Sequence, residues 1–162
     1  MTSFFGKHRG RVENNIDPLL MGRLQVSAPT VWGSGALSWA MPCVPFAGPQ
    51  VGFFFLPPTG ANVWIEFEGG DPDYPVWTGG FWGVGECPAT PPAPGFNMLK
   101  TAGFTLTVTD VVPAAPLASI ETATGAKISF GPTGIEVKTA AGIVAIEGTQ
   151  ITLNRDALVV LP

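Results

Sequence analysis

Few side chains in this sequence could act as acids, bases or metal ligands. His8 is the only histidine, so a catalytic triad, a common zinc site or a histidine-based acid/base pair is hard to build. Glu66, Glu68, Asp71 and Asp73 form an acidic cluster that could serve glycoside hydrolysis or bind Ca²⁺. However, the glutamates alternate with apolar residues, as on the polar face of a strand, and the aspartates flank a proline in ordinary turn sequence. We therefore predict no catalytic residue, no metal site and no cofactor.

Aromatic residues and cysteines offer a second kind of chemistry. Five tryptophans could stack on sugars or bases, although packing in a core or between subunits explains them more simply; they are Trp32, Trp39, Trp64, Trp77 and Trp82. Cys43 and Cys87 are too few for a disulfide scaffold, so we expect reduced packing residues. A glycine-rich phosphate loop of either common spacing is absent from the sequence, which argues against nucleotide hydrolysis.

The composition points to an assembly. Hydrophobic residues make up 46% and charged residues only 12%, against a usual charged share of about 25%. A soluble monomer normally shows more surface charge, so much of the surface is expected to be hidden between subunits. The net charge of −4 argues against binding of nucleic acid.

The basic residues are unevenly placed. Half of the eight lie near the N-terminus, either as a solvated strand edge or as a docking face for an acidic partner; they are Lys7, Arg9, Arg11 and Arg23. The sequence shows neither a signal peptide nor an apolar run near the ~20 residues that would span a membrane. We therefore expect assembly in the cytoplasm.

The first half of the chain reads as β-strands with many turns. Val63, Ile65 and Phe67 alternate with polar or amphipathic residues, which is the period of a half-buried strand. In all, five strands are predicted, with a loop-rich connection after the second, at 7–13, 22–28, 53–56, 63–68 and 76–82. This order suits a small closed barrel of the oligonucleotide/oligosaccharide-binding (OB) type, although the pattern alone leaves a sandwich open.

The second half carries a short repeat. Four branched residues recur every eight positions, at Ile135, Ile143, Ile151 and Val159, and a second set follows two residues later, at Val137, Ala145, Leu153 and Leu161. An earlier pair, Ile128 and Phe130, fits one residue out of register. A short period of strands and turns is typical of a β-helix or solenoid, whose blocks bury little alone. The predicted domains are thus 1–84, a proline-rich linker at 85–100, and a repeat region at 101–162.

Two alternatives remain open for this region. In residues 143–148 the bulkier pair is Val144 and Ile146, and if that face points inward, the register shifts by one residue. We adopt the strict eight-residue register here. The region could also be an ordinary β-meander packed on the barrel.

Several segments in order resemble one known family. These are GKHRGRV at 6–12, DPLLMGRLQV at 17–26, SWAMPC and PFAGP within 38–49, and the stretch 52–82. They are similar to the baseplate spike proteins of contractile phage tails, including baseplate assembly protein V. Relatives of that family are the valine-glycine-repeat proteins of type VI secretion and the spikes of extracellular contractile injection systems. The resemblance favours the OB barrel over a sandwich and leaves the kind of machine and its target open.

The resemblance implies a structural protein rather than an enzyme. Its fold would be all-β, an OB barrel followed by an intertwined trimeric β-helix or β-prism that forms a needle and meets the target-cell membrane mechanically. Residues expected in the trimer core are Ile128, Phe130, Ile135, Val137, Ile143, Ile151, Leu153, Val159 and Leu161. Lys7, Arg9, Arg11 and Arg23 would dock on a baseplate hub, in a virion or injection particle. A tip protein of the proline-alanine-alanine-arginine repeat family would bind at Leu158, Val159, Val160, Leu161 and Pro162.

A different class of function fits part of the pattern. The barrel and the tryptophans would also suit a monomeric OB-type module that binds an oligosaccharide or single-stranded nucleic acid. The acidic pI and the repetitive second half weigh against it. Oligomeric mass separates the two hypotheses, because the spike should be a trimer.

Overall fold

The structure, a computed structural model, describes residues 2–89, 93–110, 116–154 and 157–160. The chain divides into two units, one up to Glu86 and one from Cys87. Both are built from strands, with one short helix, α1, at Pro29–Trp32 and a 3₁₀ turn at Glu68–Gly70. The all-β prediction is confirmed. Within the described ranges, no helix is long and apolar enough to cross a membrane.

Five strands of the first unit close into a barrel, in the order β1-β2-β3-β7-β6. Their bounds are β1 His8–Asn14, β2 Leu24–Ser27, β3 Leu37–Pro42, β6 Asn62–Phe67 and β7 Pro75–Phe81; a small hairpin, β4 Ala47–Gly48 and β5 Val51–Gly52, lies between β3 and β6. All barrel pairs are antiparallel except the parallel pair of β3 and β7. The predicted five-stranded barrel is confirmed.

Alternation along the strands fills the barrel. Most inward residues are branched or aromatic, and together with the small Ala40 of β3 they form one buried cluster: Val12, Leu24, Val26, Ala40, Val63, Ile65, Phe67 and Trp77. Gly10 also faces inward, and a methyl group on it would lie 2.7 Å from Cγ1 of Ile65 and 3.0 Å from the carbonyl oxygen of Ser27. Only glycine fits there, because β1 passes so close to its neighbours.

One predicted strand was misplaced. Residues 53–56 are not a strand, and the fifth barrel strand is instead Leu37–Pro42, inside the segment predicted to be loop-rich. Phe53, Phe54 and Phe55 are all exposed, whereas a strand at the barrel wall would turn alternate side chains into the core. Leu37–Pro42 buries only the small Ala40, so its hydrophobic signal was weak.

The second unit is a single eight-stranded sheet. Each strand pairs antiparallel with its sequence neighbour, which makes a meander. The strands are β8 Phe96–Lys100, β9 Phe104–Thr109, β10 Ala118–Thr122, β11 Lys127–Phe130, β12 Gly134–Lys138, β13 Ile143–Glu147, β14 Gln150–Leu153 and β15 Leu158–Val160. Residues 96–100, predicted as linker, are therefore the first strand of this sheet. These pairings join strands of one chain, and the intertwined trimeric β-helix stays a prediction.

Candidate assembly surfaces

One face of the C-terminal sheet is apolar across its whole width. Directly paired residues share a face of a sheet, and the pairing aligns two rows from strand to strand. One row runs through Leu99, Leu106, Ile120, Ile128, Val137, Val144, Leu153 and Leu158; the other runs through Val108, Ala118, Phe130, Ile135, Ile146, Ile151 and Val160. We call these two rows the apolar face.

The apolar face is not covered within one chain. Phe130 keeps 42% of its surface exposed, Ile146 45% and Leu158 52%. Every hydrophobic residue that is buried in the described part of the chain belongs to the barrel unit. A sheet normally hides its hydrophobic side against a second layer, so this face needs a partner.

The opposite face is polar. Ser119 pairs with both Thr107 and Ser129, and Glu136 pairs with Ala145. Lys127 lies beside Glu121, with 3.5 Å between Nζ and Oε2. The sheet is therefore amphipathic, and only its polar face is suited to contact with water.

The pairing corrects the strict eight-residue register. Six of the nine residues predicted for the trimer core do lie on the apolar face: Ile128, Phe130, Ile135, Val137, Ile151 and Leu153. Ile143 pairs with Lys138 and so lies on the opposite face, while Val144 pairs with Val137. The alternative register, with Val144 and Ile146 on the shared face, is thus the observed one. Their greater bulk was the available signal.

The last predicted residues are only partly described. Val159 pairs through its backbone with Thr152, which belongs to the opposite face, and its own side chain lies outside the description. Leu161 and Pro162 also lie outside the described residues. Leu158 and Val160, which are about half exposed at 52% and 50%, occupy the edge strand β15.

Three of the four N-terminal basic residues alternate on the outer side of the barrel. Nζ of Lys7 donates to Oε1 of Glu66 at 2.7 Å and to the hydroxyl of Thr78 at 3.0 Å. The Arg9 guanidinium stacks on Trp64 and Phe81, 5.2 and 4.6 Å from the two ring centroids. Arg11 is exposed, and no ion pair to it occurs among the described residues.

Arg23 has a different environment. Its guanidinium donates to Oδ1 of Asp17, at 2.7 Å from Nη2 and 3.1 Å from Nε, and both side chains are largely buried. The same carboxylate accepts backbone hydrogen bonds from Leu19, Met21 and Arg23. The hydrogen bond from Arg23 therefore holds the pKa of Asp17 far below its usual range, and the Asp17 carboxylate in turn raises the pKa of Arg23. This pair fixes the loop at 17–23.

The other chemistry-bearing residues have local structural partners. His8 is half-buried, with its ring 5.4 Å from that of Phe67, and its Nε2 has no hydrogen-bond partner among the described residues. The indole N–H of Trp77 donates to the Gly22 carbonyl and that of Trp32 to the Pro72 carbonyl. Asp71 accepts the backbone N–H of Asp73 within the turn. In the described segments, no group of three or more His, Cys, Asp or Glu side chains could hold a metal ion.

Comparison with known families assigns both units. Residues 8–82 match a family model described as the type VI secretion system/phage-baseplate injector OB domain. Residues 97–159 match one described as the phage baseplate V C-terminal trimerisation domain. A search of curated proteins found no significant match.

The two matches agree with the fold. A closed barrel coincides with the first and the eight-stranded sheet with the second. The chain is therefore a structural component of a phage or type VI secretion baseplate. It belongs to the phage baseplate V family, and the predicted family resemblance is confirmed. Its C-terminal unit is a trimerisation domain, which supports a homotrimer.

Proposed function

We propose that this chain is the central spike of a contractile injection machine, a homotrimer that docks on the baseplate hub and helps to pierce the target envelope. The observation that carries the proposal is the uncovered apolar face of the C-terminal sheet. Two further copies of the same face would cover it, as three sheets enclosing one apolar interior. One row runs across all eight strands and the other across seven of them, which would make that interior continuous.

Mechanical strength would follow from this arrangement. Each chain satisfies the hydrogen bonds between its own strands, and the trimer contact adds side-chain packing on top of them. Pulling one chain away would expose the whole apolar face to water, at roughly 25 cal/mol for each Å². The needle would therefore resist separation when contraction drives it against a membrane.

Two partners are proposed for the ends of the spike. The barrel would meet the hub through Lys7, Arg9 and Arg11, whose charges point outward from β1; Arg23 already has a buried local partner. A tip protein of the proline-alanine-alanine-arginine repeat family would bind at residues 158–162. The exposed edge of β15, with Leu158 and Val160, supports this second contact, because open strand edges accept further strands.

The test is the mass of the intact protein, with and without a charge in the apolar face. Native mass spectrometry should give three chains of 16.9 kDa for the wild type. Ile151→Asp should reduce the trimer strongly, because it places an unpaired carboxylate in an apolar interior in all three chains. Thr152→Asp, next to it on the polar face, is the matched control and should leave the trimer intact.

The same measurement tests the alternative. A monomeric OB-type binding module would show a single-chain mass and no difference between Ile151→Asp and Thr152→Asp. Such a module could use the stack of the exposed Arg9 on the half-buried Trp64 and Phe81 to hold a sugar or a base. A stable trimer of the wild type would exclude it.

A further inference from the structure

A second apolar surface lies on the barrel, apart from the C-terminal sheet. The loop at 17–23 exposes Leu19, Leu20 and Met21 by 62, 91 and 49%. The Asp17 carboxylate holds this loop from inside, through backbone hydrogen bonds of 3.0 Å from Leu19 and 2.8 Å from Met21. The loop is therefore ordered, although its apolar side chains face water.

Leu20 is also held in an unusual backbone conformation. Its φ is +56°, in the left-handed region that residues with a side chain rarely adopt. Such strain tends to occur at binding sites, where the surrounding structure fixes it. The folding of the barrel does not by itself require a strained loop with an exposed leucine. The buried ion pair that fixes this loop therefore suggests a role in binding.

A neighbouring segment continues the surface. Phe46, Val51 and Phe54 are exposed by 59, 65 and 71% around the β4–β5 hairpin. The Phe54 ring lies 3.4 Å from the position that a methyl group on Gly22 would take, so this segment adjoins the loop. Leu20, Met21, Pro42, Phe46 and Phe53 line a groove of about 530 Å³ between them. We call the exposed apolar side chains at 19–21, 46, 51 and 53–55 the loop patch.

The composition of the loop patch identifies its class of partner. From Leu24 to Ile65 the chain carries no charged side chain. Interfaces of permanent homo-oligomers are more apolar than those of transient complexes, and charged residues are depleted at their centres. A large apolar patch of this kind marks an interaction site, and its lack of charge favours a permanent partner.

We infer that the loop patch packs against the barrel of a neighbouring copy of this chain, so that the barrels form a second contact of the trimer. The inference rests on the proposed trimer. Once the C-terminal sheets associate, residues 87–95 can span at most about 30 Å, even when extended. Tethering of this length gives the neighbouring barrel a local concentration on the order of millimolar. No other partner is supplied at that concentration by the protein itself.

Photo-crosslinking of the purified full-length chain tests the inference. A photoreactive amino acid replaces Leu20, and denaturing gels then show whether irradiation links one chain to another. We expect linked dimers and trimers whose yield does not fall on dilution, because the contact lies within one assembly. The matched control replaces Leu37, an exposed leucine on β3 outside the loop patch, and should give several-fold less linked product.

A second variant gives an independent measurement. In Leu20→Asp trimers, amide hydrogen exchange within residues 46–55 should increase, whereas Leu37→Asp should leave it unchanged. Linkage from Leu20 within purified trimers, together with this change, would support the inference. A trimer without such linkage would overturn it while leaving the spike proposal intact. Linkage only to an added hub protein would overturn it as well, and a monomeric mass would instead remove the proposed function.

Discussion

At the scale of single residues, the clearest feature is the Asp17–Arg23 pair inside the motif DPLLMGR. One carboxylate accepts hydrogen bonds from three backbone amides and from a guanidinium. Burial of an ion pair is favourable only when such additional hydrogen bonds satisfy it. The sequence alone placed Arg23 among the hub-docking residues, because four basic side chains are gathered near the N-terminus and nothing in their spacing showed which of them would be buried.

Asp17→Asn should destabilise the barrel and change its response to acid. The folded pKa of Asp17 is depressed, so its contribution to stability is fully present above the ordinary aspartate pKa of about 4. That contribution is lost as the pH falls through the lower folded pKa. Thermal unfolding followed by tryptophan fluorescence should show a drop of several degrees at neutral pH and a shallower loss below about pH 4.

Tryptophan fluorescence suits this measurement because all five tryptophans precede residue 87. Asp73→Asn, at an exposed turn, is the control and should change little. Parallel acid curves for wild type and Asp17→Asn would contradict the assigned role of the pair.

Reversing two arginines tests the proposed hub contact. Arg9→Glu together with Arg11→Glu should weaken hub binding about tenfold at low salt, ~1.4 kcal/mol, because charges at the rim of an interface steer association. The trimer mass should stay the same. Lys100→Glu with Lys138→Glu changes the net charge equally in the other unit and should have a much smaller effect. Equal hub affinity in both double variants would remove the proposal.

At the scale of elements, the C-terminal sheet explains why a fixed spacing failed to identify one face. In a β-helix, successive blocks are related by translation, so residues one period apart share a face. In a meander, each strand reverses, and equivalent residues are related by reflection across the turn. Ile135 and Ile151, two blocks apart, therefore share the apolar face, whereas Ile143, one block away, does not.

A pair of isoleucines on one strand tests this register. Ile146→Asp should greatly reduce the trimer, because it buries a charge, whereas Ile143→Asp should be tolerated on the polar face. The residue type, the substitution and the strand are the same, so only the face differs. Denaturant-dependent loss of the trimer measures both. The opposite order of stability would restore the strict eight-residue register.

The barrel was more predictable than the sheet, for a physical reason. Strands β2 and β6 bury a branched or aromatic residue at every second position, and β1 and β7 bury Val12 and Trp77 in the same alternation, which is visible in the sequence. Strand β3 contributes only Ala40 to the core, and glycine and proline on either side conceal it. The apolar run Phe53–Phe55 looked more like a strand than β3 did, because exposed apolar side chains at an interface resemble core residues in sequence.

At the scale of the whole molecule, both exposed apolar surfaces and the low charge content have one explanation. A chain with 12% charged residues would be poorly soluble if both the apolar face and the loop patch stayed open. Homotrimer formation through the C-terminal unit, and the barrel contact inferred above, would cover them. The low charge content is therefore what we expect of a subunit in an assembly rather than of a free monomer.

The proposed tip contact can be tested separately from the trimer. Deletion of residues 158–162 should abolish a complex of three spike chains and one tip protein, because it removes the proposed contact. The other seven strands should still hold the trimer together. Native mass spectrometry of the co-expressed proteins measures both assemblies, and retention of the tip by the shortened chain would contradict the contact.

The meander also determines how the length of this unit can change. Because neighbouring strands lie about 4.8 Å apart, each added strand would extend the sheet by that amount perpendicular to the strands, while the strand length stays the same. A single added strand would also move the end of the chain from one end of the strands to the other. Insertions that keep the chain end on the same side therefore come as whole hairpins, about 9.6 Å each. Spikes of different length could then share one cross-section and differ only in the number of hairpins.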